Sequence, residues 1–137
     1  MPELRFDLMV LLPSFLAYFG TALVLTGLFL VLYTLVTPIA EWREIQNGNA
    51  AAAVSLAGAL LGFVLALNSV ITHSGGLADM AVWGAVALVA QLCVFFAARL
   101  LKPDLVVRIG DRSMSHAILL GAASVAVGLL NAACMSY

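Results

Sequence analysis

The sequence predicts an all-α integral membrane protein with four transmembrane helices, arranged as two tandem two-helix repeats. Three observations carry this. Apolar residues (A, V, I, L, M, F, W, Y, C) make up 64% of the chain, against roughly 45–50% in soluble domains even with glycine counted. Charged residues supply only 9%, where about a quarter is usual, so the elements cannot each present a polar face to water. The charges also fall between four uncharged stretches, each close to the ~20 residues a helix needs to cross a bilayer core.

The N-terminal charges are mixed (Glu3, Arg5, Asp7), and the apolar run behind them outlasts a signal-peptide core, so the segment is read as retained. Leu8 to Val36 carries no charge. Pro13 is expected near the start of the first span, where a missing N–H is tolerated, which places that span at about 14–37. Ala50 to Thr72 is the second span. Met80 to Ala98, bounded by Asp79 and Arg99, is the third, and Ala117 to Tyr137 is the fourth. Helices are expected because backbone in lipid must satisfy its own hydrogen bonds. The short alternating segments of a β-barrel are absent.

The chain reads as a single membrane domain, 1–137, with one repeat at about 14–72 and another at about 79–137. Thr37-Pro38 precedes a segment containing Glu44-Ile45, and Lys102-Pro103 precedes one containing Arg108-Ile109. Gly58 and Asn68 on the second span recur as Gly121 and Asn131 on the fourth. Two spans per unit make the copies parallel, related by an axis along the membrane normal.

Arg43, Arg99, Lys102, Arg108 and Arg112 all lie in the loops after the first and third spans, while the opposite side holds only Arg5. The positive-inside rule therefore predicts cytoplasmic loops there and both termini in the periplasm. Trp42, Trp83 and Tyr137 fall at expected interfaces, where aromatic rings collect. Ile39, Trp42 and Ile45 recur at three-residue spacing among Glu41, Arg43 and Glu44, which predicts a short interfacial helix. Gly48-Asn49 supplies a turn and an N-cap for the second span, and Ser113 or Ser115 one for the fourth.

No charged residue lies inside a span. Pumps, proton relays and voltage sensors keep ionisable groups at membrane depth, so this absence argues against an ion-coupled monomer. The polar candidates are Asn68, Gln91 and Asn131, which either hydrogen-bond between helices or line a polar path. Helix rise places Tyr18, Asn68 and Asn131 at one outer level and Gln91 deeper, so an outer-leaflet layer of the first three is expected. Small residues form two stripes, Ala51, Ser55, Gly58, Gly62, Ala66 and Ala117, Gly121, Ser124, Gly128, Ala132. They suit close helix packing within the chain, or between copies. Cys93 and Cys134 differ in depth by roughly 16 Å and are expected to be two buried free thiols. His73 and Asp79 across Ser74-Gly75-Gly76 make a weak metal or catalytic pair. His116 sits at a helix start. Glu41, Arg43 and Glu44 are candidates to face a cytoplasmic partner. There is no Ser/His/Asp arrangement, phosphate loop, HExxH or CxxC. No catalytic residue, cofactor, metal or nucleic acid is expected.

The stretch Glu44-Ile45-Gln46-Asn47-Gly48-Asn49-Ala50-Ala51-Ala52, the Asp79-Met80, Trp83-Gly84 and Gln91 features, and the ending Gly128-Leu129-Leu130-Asn131-Ala132-Ala133-Cys134-Met135 together resemble the YjfL-like bacterial inner-membrane proteins. The resemblance runs from about residue 35 onward. It implies an inner-membrane location, four spans and a two-helix domain in tandem, and it supplies no reaction. Asp111-Arg112 stands roughly where Gly48-Asn49 would be in the second copy, a departure from the first. The resulting expectation is a non-enzymatic scaffold or accessory subunit of an envelope or membrane-stress system. It would work with the lipid bilayer, other membrane or cytoplasmic proteins, and further copies of itself. The alternative is an oligomeric channel or facilitator for a small solute or ion.

Overall fold

A computed structural model describes the backbone of residues 2–37 and 41–135, with side chains except those of residues 2–7 and Glu41. Pro38, Ile39, Tyr137 and the side chains of Glu3, Arg5, Asp7 and Glu41 lie outside the described residues. The helices run α1 Pro2–Val36, α2 Glu41–Gln46, α3 Ala50–His73, α4 Leu77–Leu101, α5 Leu105–Gly110 and α6 Met114–Cys134. Four are long and apolar enough to span a membrane: Leu8–Val36 of α1, then α3, α4 and α6. Two long–short–long runs follow one another along the chain.

The expected start of the first span needs correction. α1 begins at Pro2, and Pro13 lies inside it. Pro2 takes the first helical position, where its missing N–H costs nothing. An interior proline is tolerated in membrane helices because local adjustments and neighbours satisfy the carbonyl it frees. At 1.5 Å per residue α1 is about 50 Å long, against a hydrocarbon core of ~30 Å. It therefore tilts, or carries its N-terminal turns beyond the core.

Among the described side chains of α1, the buried ones lie in its C-terminal half. Leu25, Phe29, Tyr33 and Thr37, spaced four apart on one face, are buried. Phe29 stacks on Phe63 of α3 at 4.7 Å, and Tyr33 meets the edge of Phe95 of α4 at 5.8 Å. Phe15 and Phe19 stack on each other at 5.5 Å on an exposed face. The hydroxyls of Thr21, Thr26, Thr34 and Thr37 donate to carbonyls one turn back, so none of these four is an orphan donor in lipid.

α3 is the centre of the bundle: half of its spanning window is buried, against 11% for α1. Its largest interface is with α6. Gly58 lies against Gly121, Gly62 against the Ser124 carbonyl, and Gly128 against the Gly62 carbonyl. Residue numbers rise together along this contact, so α3 and α6 run parallel. All five members of the α3 stripe are buried, and all of the α6 stripe except half-buried Ala132. The small residues therefore serve an intrachain seam, where absent side chains let two backbones touch.

Candidate functional site at the helix-end junction

Both short helices end in the same turn. Gly48 (φ 81°) donates its N–H to Ile45 O and Asn49 donates to Glu44 O; Arg112 (φ 66°) donates to Ile109 O and Ser113 donates to Arg108 O. This is the paired bonding of a Schellman cap, with the left-handed residue two past the last helical one. It shifts the expected correspondence by one residue. Arg112 matches Gly48, and Ser113, the N-cap of α6, matches Asn49, the N-cap of α3.

Asn49 joins the two turns. Its Oδ1 accepts the Ala52 N–H at 3.2 Å, the N-cap bond of α3. Its Nδ2 donates to Ile109 O at 3.1 Å and Gly110 O at 3.4 Å, the last carbonyls of α5, and to Glu44 Oε2 at 3.1 Å on α2. The side chain is buried, 1% exposed, and one amide thus closes the ends of three helices. Arg112 adds a second tie, its Nη2 donating to Asn47 O at 3.0 Å. Just before α5, Asp104 accepts from Arg108 Nε at 3.2 Å and lies 3.9 Å from Lys102 Nζ. The Arg108 hydrogen bond holds the Asp104 carboxyl below its ordinary value, and Lys102 acts in the same direction.

This junction redistributes the loop candidates. Glu44 is half-buried and committed to Asn49. Arg43 and Trp42 are exposed on α2, as are Val107 and Arg108 on α5. Leu105, Val106 and Ile109 are buried beneath them.

The intramembrane amides separate. Gln91 is buried where α3, α4 and α6 meet. In the amide orientation that satisfies both atoms, its NH2 donates to Ser124 O at 3.2 Å and its oxygen accepts from Gly128 N–H at 3.1 Å. Gln91→Leu is expected to cost about 1–2 kcal/mol, the upper range for hydrogen bonds between membrane helices. Unfolding by SDS titration measures it, and a leucine variant as stable as the parent would show that the amide does not tie α4 to α6.

The expected layer of Tyr18, Asn68 and Asn131 does not form as one layer. Tyr18 is half-buried and packs on the core. Asn68 is exposed, on the same face of α3 as Ala57 and Leu61. Asn131 is half-buried, and its Nδ2 has no hydrogen-bond partner among the described residues. The polar link between α3 and α6 at this level is Ser69, whose hydroxyl donates to Ala132 O at 2.9 Å. Sequence reading passed over Ser69, though it continues the seven-residue spacing of Ser55 and Gly62.

Cys93 and Cys134 are free as expected, but both are exposed and not buried. Each falls on an outward face, where a thiol behaves as a small apolar group. His73 Nδ1 lies 2.9 Å from Ser69 O, and Asp79 Oδ2 accepts the Gly75 N–H at 2.9 Å. Both side chains thus serve the turn between α3 and α4. Among the described residues no three His, Cys, Asp or Glu side chains cluster as metal ligands would.

Comparison with known proteins agrees with this architecture. Residues 7–135 match the family model described as Domain of Unknown Function (DUF350). The chain is 38% identical over 126 residues to the UPF0719 inner membrane protein YjfL of Escherichia coli K12, covering 92% of this chain and 96% of that one. It is 34% identical over 87 residues to the UPF0719 transmembrane protein YshE of Bacillus subtilis, covering 64% and 65% respectively. No solved structure matches. With four membrane-spanning helices and a match over nearly its whole length, this chain belongs to the DUF350 family, among relatives of the YjfL type.

Proposed function

We propose that this protein is a non-enzymatic scaffold or accessory subunit of the bacterial inner membrane, engaging protein partners through the exposed faces of α2 and α5. The observation that carries this reading is the Asn49 junction. It locks two short helices into one platform and leaves Trp42, Arg43, Val107 and Arg108 outward. An exposed tryptophan beside arginines is the composition that protein interfaces favour. The close hydroxyl–imidazole contacts, Ser113 Oγ to His116 Nδ1 at 2.6 Å and Thr72 Oγ1 to His73 Nδ1 at 3.0 Å, sit at the start of α6 and the end of α3. Inner-membrane residence is supported by the name of the Escherichia coli relative. Arg43, Arg99, Lys102, Arg108 and Arg112 gather on the α2–α5 side, which supports placing that side in the cytoplasm and both termini in the periplasm. The recurrence of one capping turn after α2 and α5 supports a reading of the chain as two parallel copies of a helix–loop–helix unit.

A photo-crosslinking residue at Trp42 tests the platform in intact membranes. A discrete protein adduct is expected, weakened several-fold by Arg43→Ala or Arg108→Ala with thermal unfolding unchanged. An adduct indifferent to both substitutions, or formed with lipid alone, would count against the platform. A reporter silent in the cytoplasm and fused after Met135 should be active, and silence there would reverse the orientation.

A second reading is favoured by Asn68. An amide facing hydrocarbon needs a partner, and on this face of α3 the partner is supplied by a further copy of the chain. A solute path in such an oligomer would run past Asn68 between copies, because the α3–α6 seam is closed backbone to backbone. Asn68→Leu should then shift the protein toward monomer in detergent. An unchanged oligomer distribution would remove both the contact and the path.

A further inference from the structure

Between the C-terminal part of α4, the helix α5 and the middle of α6 lies a crevice of about 270 Å³. Val94 and Ala98 of α4, Leu105 of α5, and Ala123 and Val127 of α6 form its walls, and Lys102 stands at its mouth. The walls are almost wholly apolar, so water gains no hydrogen-bond partners inside. Val94 to Leu101 spans about 10 Å of helix rise, and Leu119 to Val127 about 12 Å. One leaflet of hydrocarbon is about 15 Å deep. The crevice therefore descends from the membrane surface through most of one leaflet.

Among the described residues that line the crevice only Lys102 is charged, and Asp104 and Arg108 lie outside the lining. Lys102 and Arg108 flank Asp104, two positive charges to one negative. The Lys102 side chain is 45% exposed, and its 3.9 Å approach to Asp104 is long for an ion pair, so the ammonium keeps donors for another oxygen anion. Arg99, in the last turn of α4, is exposed at the same end.

We propose that this crevice seats one acyl chain of an anionic phospholipid, with Lys102 on the phosphate. An apolar slot of leaflet depth with a lysine at its mouth matches a phospholipid in shape and charge at once. Lipid of any headgroup could fill the slot, but Lys102 favours a net negative one.

Native mass spectrometry of the whole chain, titrated with phosphatidylglycerol and phosphatidylcholine of matched acyl chains, tests this. Phosphatidylglycerol adducts should be favoured about fivefold, the factor that ~1 kcal/mol for one basic side chain near the surface corresponds to. Lys102→Gln should bring the two lipids level and leave phosphatidylcholine binding intact, and Lys102→Arg should keep the preference. Ala123→Phe fills the slot and should remove both adducts. Equal binding of the two lipids by the parent protein overturns the proposal, as does undiminished phosphatidylglycerol binding by Ala123→Phe. Should Ala123→Phe not fold, the Lys102 variants decide alone, because that side chain is exposed.

Discussion

Alanine at Gly128 is expected to destabilise the protein by about 3 kcal/mol, the upper end of the range for overpacking a filled interior. The new methyl would meet the backbone of Gly62, and backbone cannot rotate aside as the tip of a side chain can. α3 and α6 would have to part along their length. Parting them would also stretch the Gln91 amide from Ser124 and Gly128, and Ser69 from Ala132. Gly62→Ala meets the Ser124 carbonyl and the Gln91 amide from the other side. Both changes open one seam, so the double variant should cost less than the sum of the singles. Gly20 and Gly27 have nothing within reach of an added methyl, so alanine there should be neutral or mildly stabilising. SDS-titrated unfolding followed by circular dichroism measures all five variants. A Gly128→Ala protein within about 0.5 kcal/mol of the parent, the spread of ordinary surface substitutions, would mean that the seam is looser than described.

Asn49→Ala is the second large effect, again about 3 kcal/mol. The N-cap of α3 contributes about 1. The rest comes from the α5 carbonyls and the Glu44 carboxylate left without their donor, at about 1–3 for buried groups. Asn49→Asp separates these parts. Aspartate caps a helix as well as asparagine, but it would set a carboxylate against Ile109 O, Gly110 O and Glu44. It should therefore be at least as damaging as alanine. Hydrogen exchange should show lost protection at 105–113 as well as at 49–53. If exchange rises only at the start of α3, the bonds to α5 carry no weight.

The fold was legible in the sequence where polarity changes abruptly. Gly48-Asn49 marked the start of α3 to the residue, and Asp79 and Arg99 bracketed α4 to within about one turn. The start of α1 was hidden because Pro13 looks like a beginning, and only Pro2 with a continuous helix behind it shows otherwise. The rotational setting of the spans was harder to read. A helix that is apolar all round has no face its composition can name. Small residues alone betrayed the buried side, and they placed the Gly58 and Gly121 stripes correctly. Asn68 drew attention as the larger polar group, but it lies on the outward face, and Ser69 beside it makes the link. The second role of Asn49 depends on carbonyls sixty residues away, which no local pattern encodes.

The parallel pairing of α3 with α6 also fixes an order of events during synthesis. α3 ends at His73, and its seam partner begins at Met114. When α3 enters the bilayer, the groove through Gly58 and Gly62 has nothing to close it, and it stays open while α4 and α5 are made. α3 can pack on α1 and α4 as they are made, but its seam must wait for α6. The bundle's central contact is the last to form, and until then the glycine groove is open to lipid, to the insertion machinery, or to α6 of a neighbouring nascent chain.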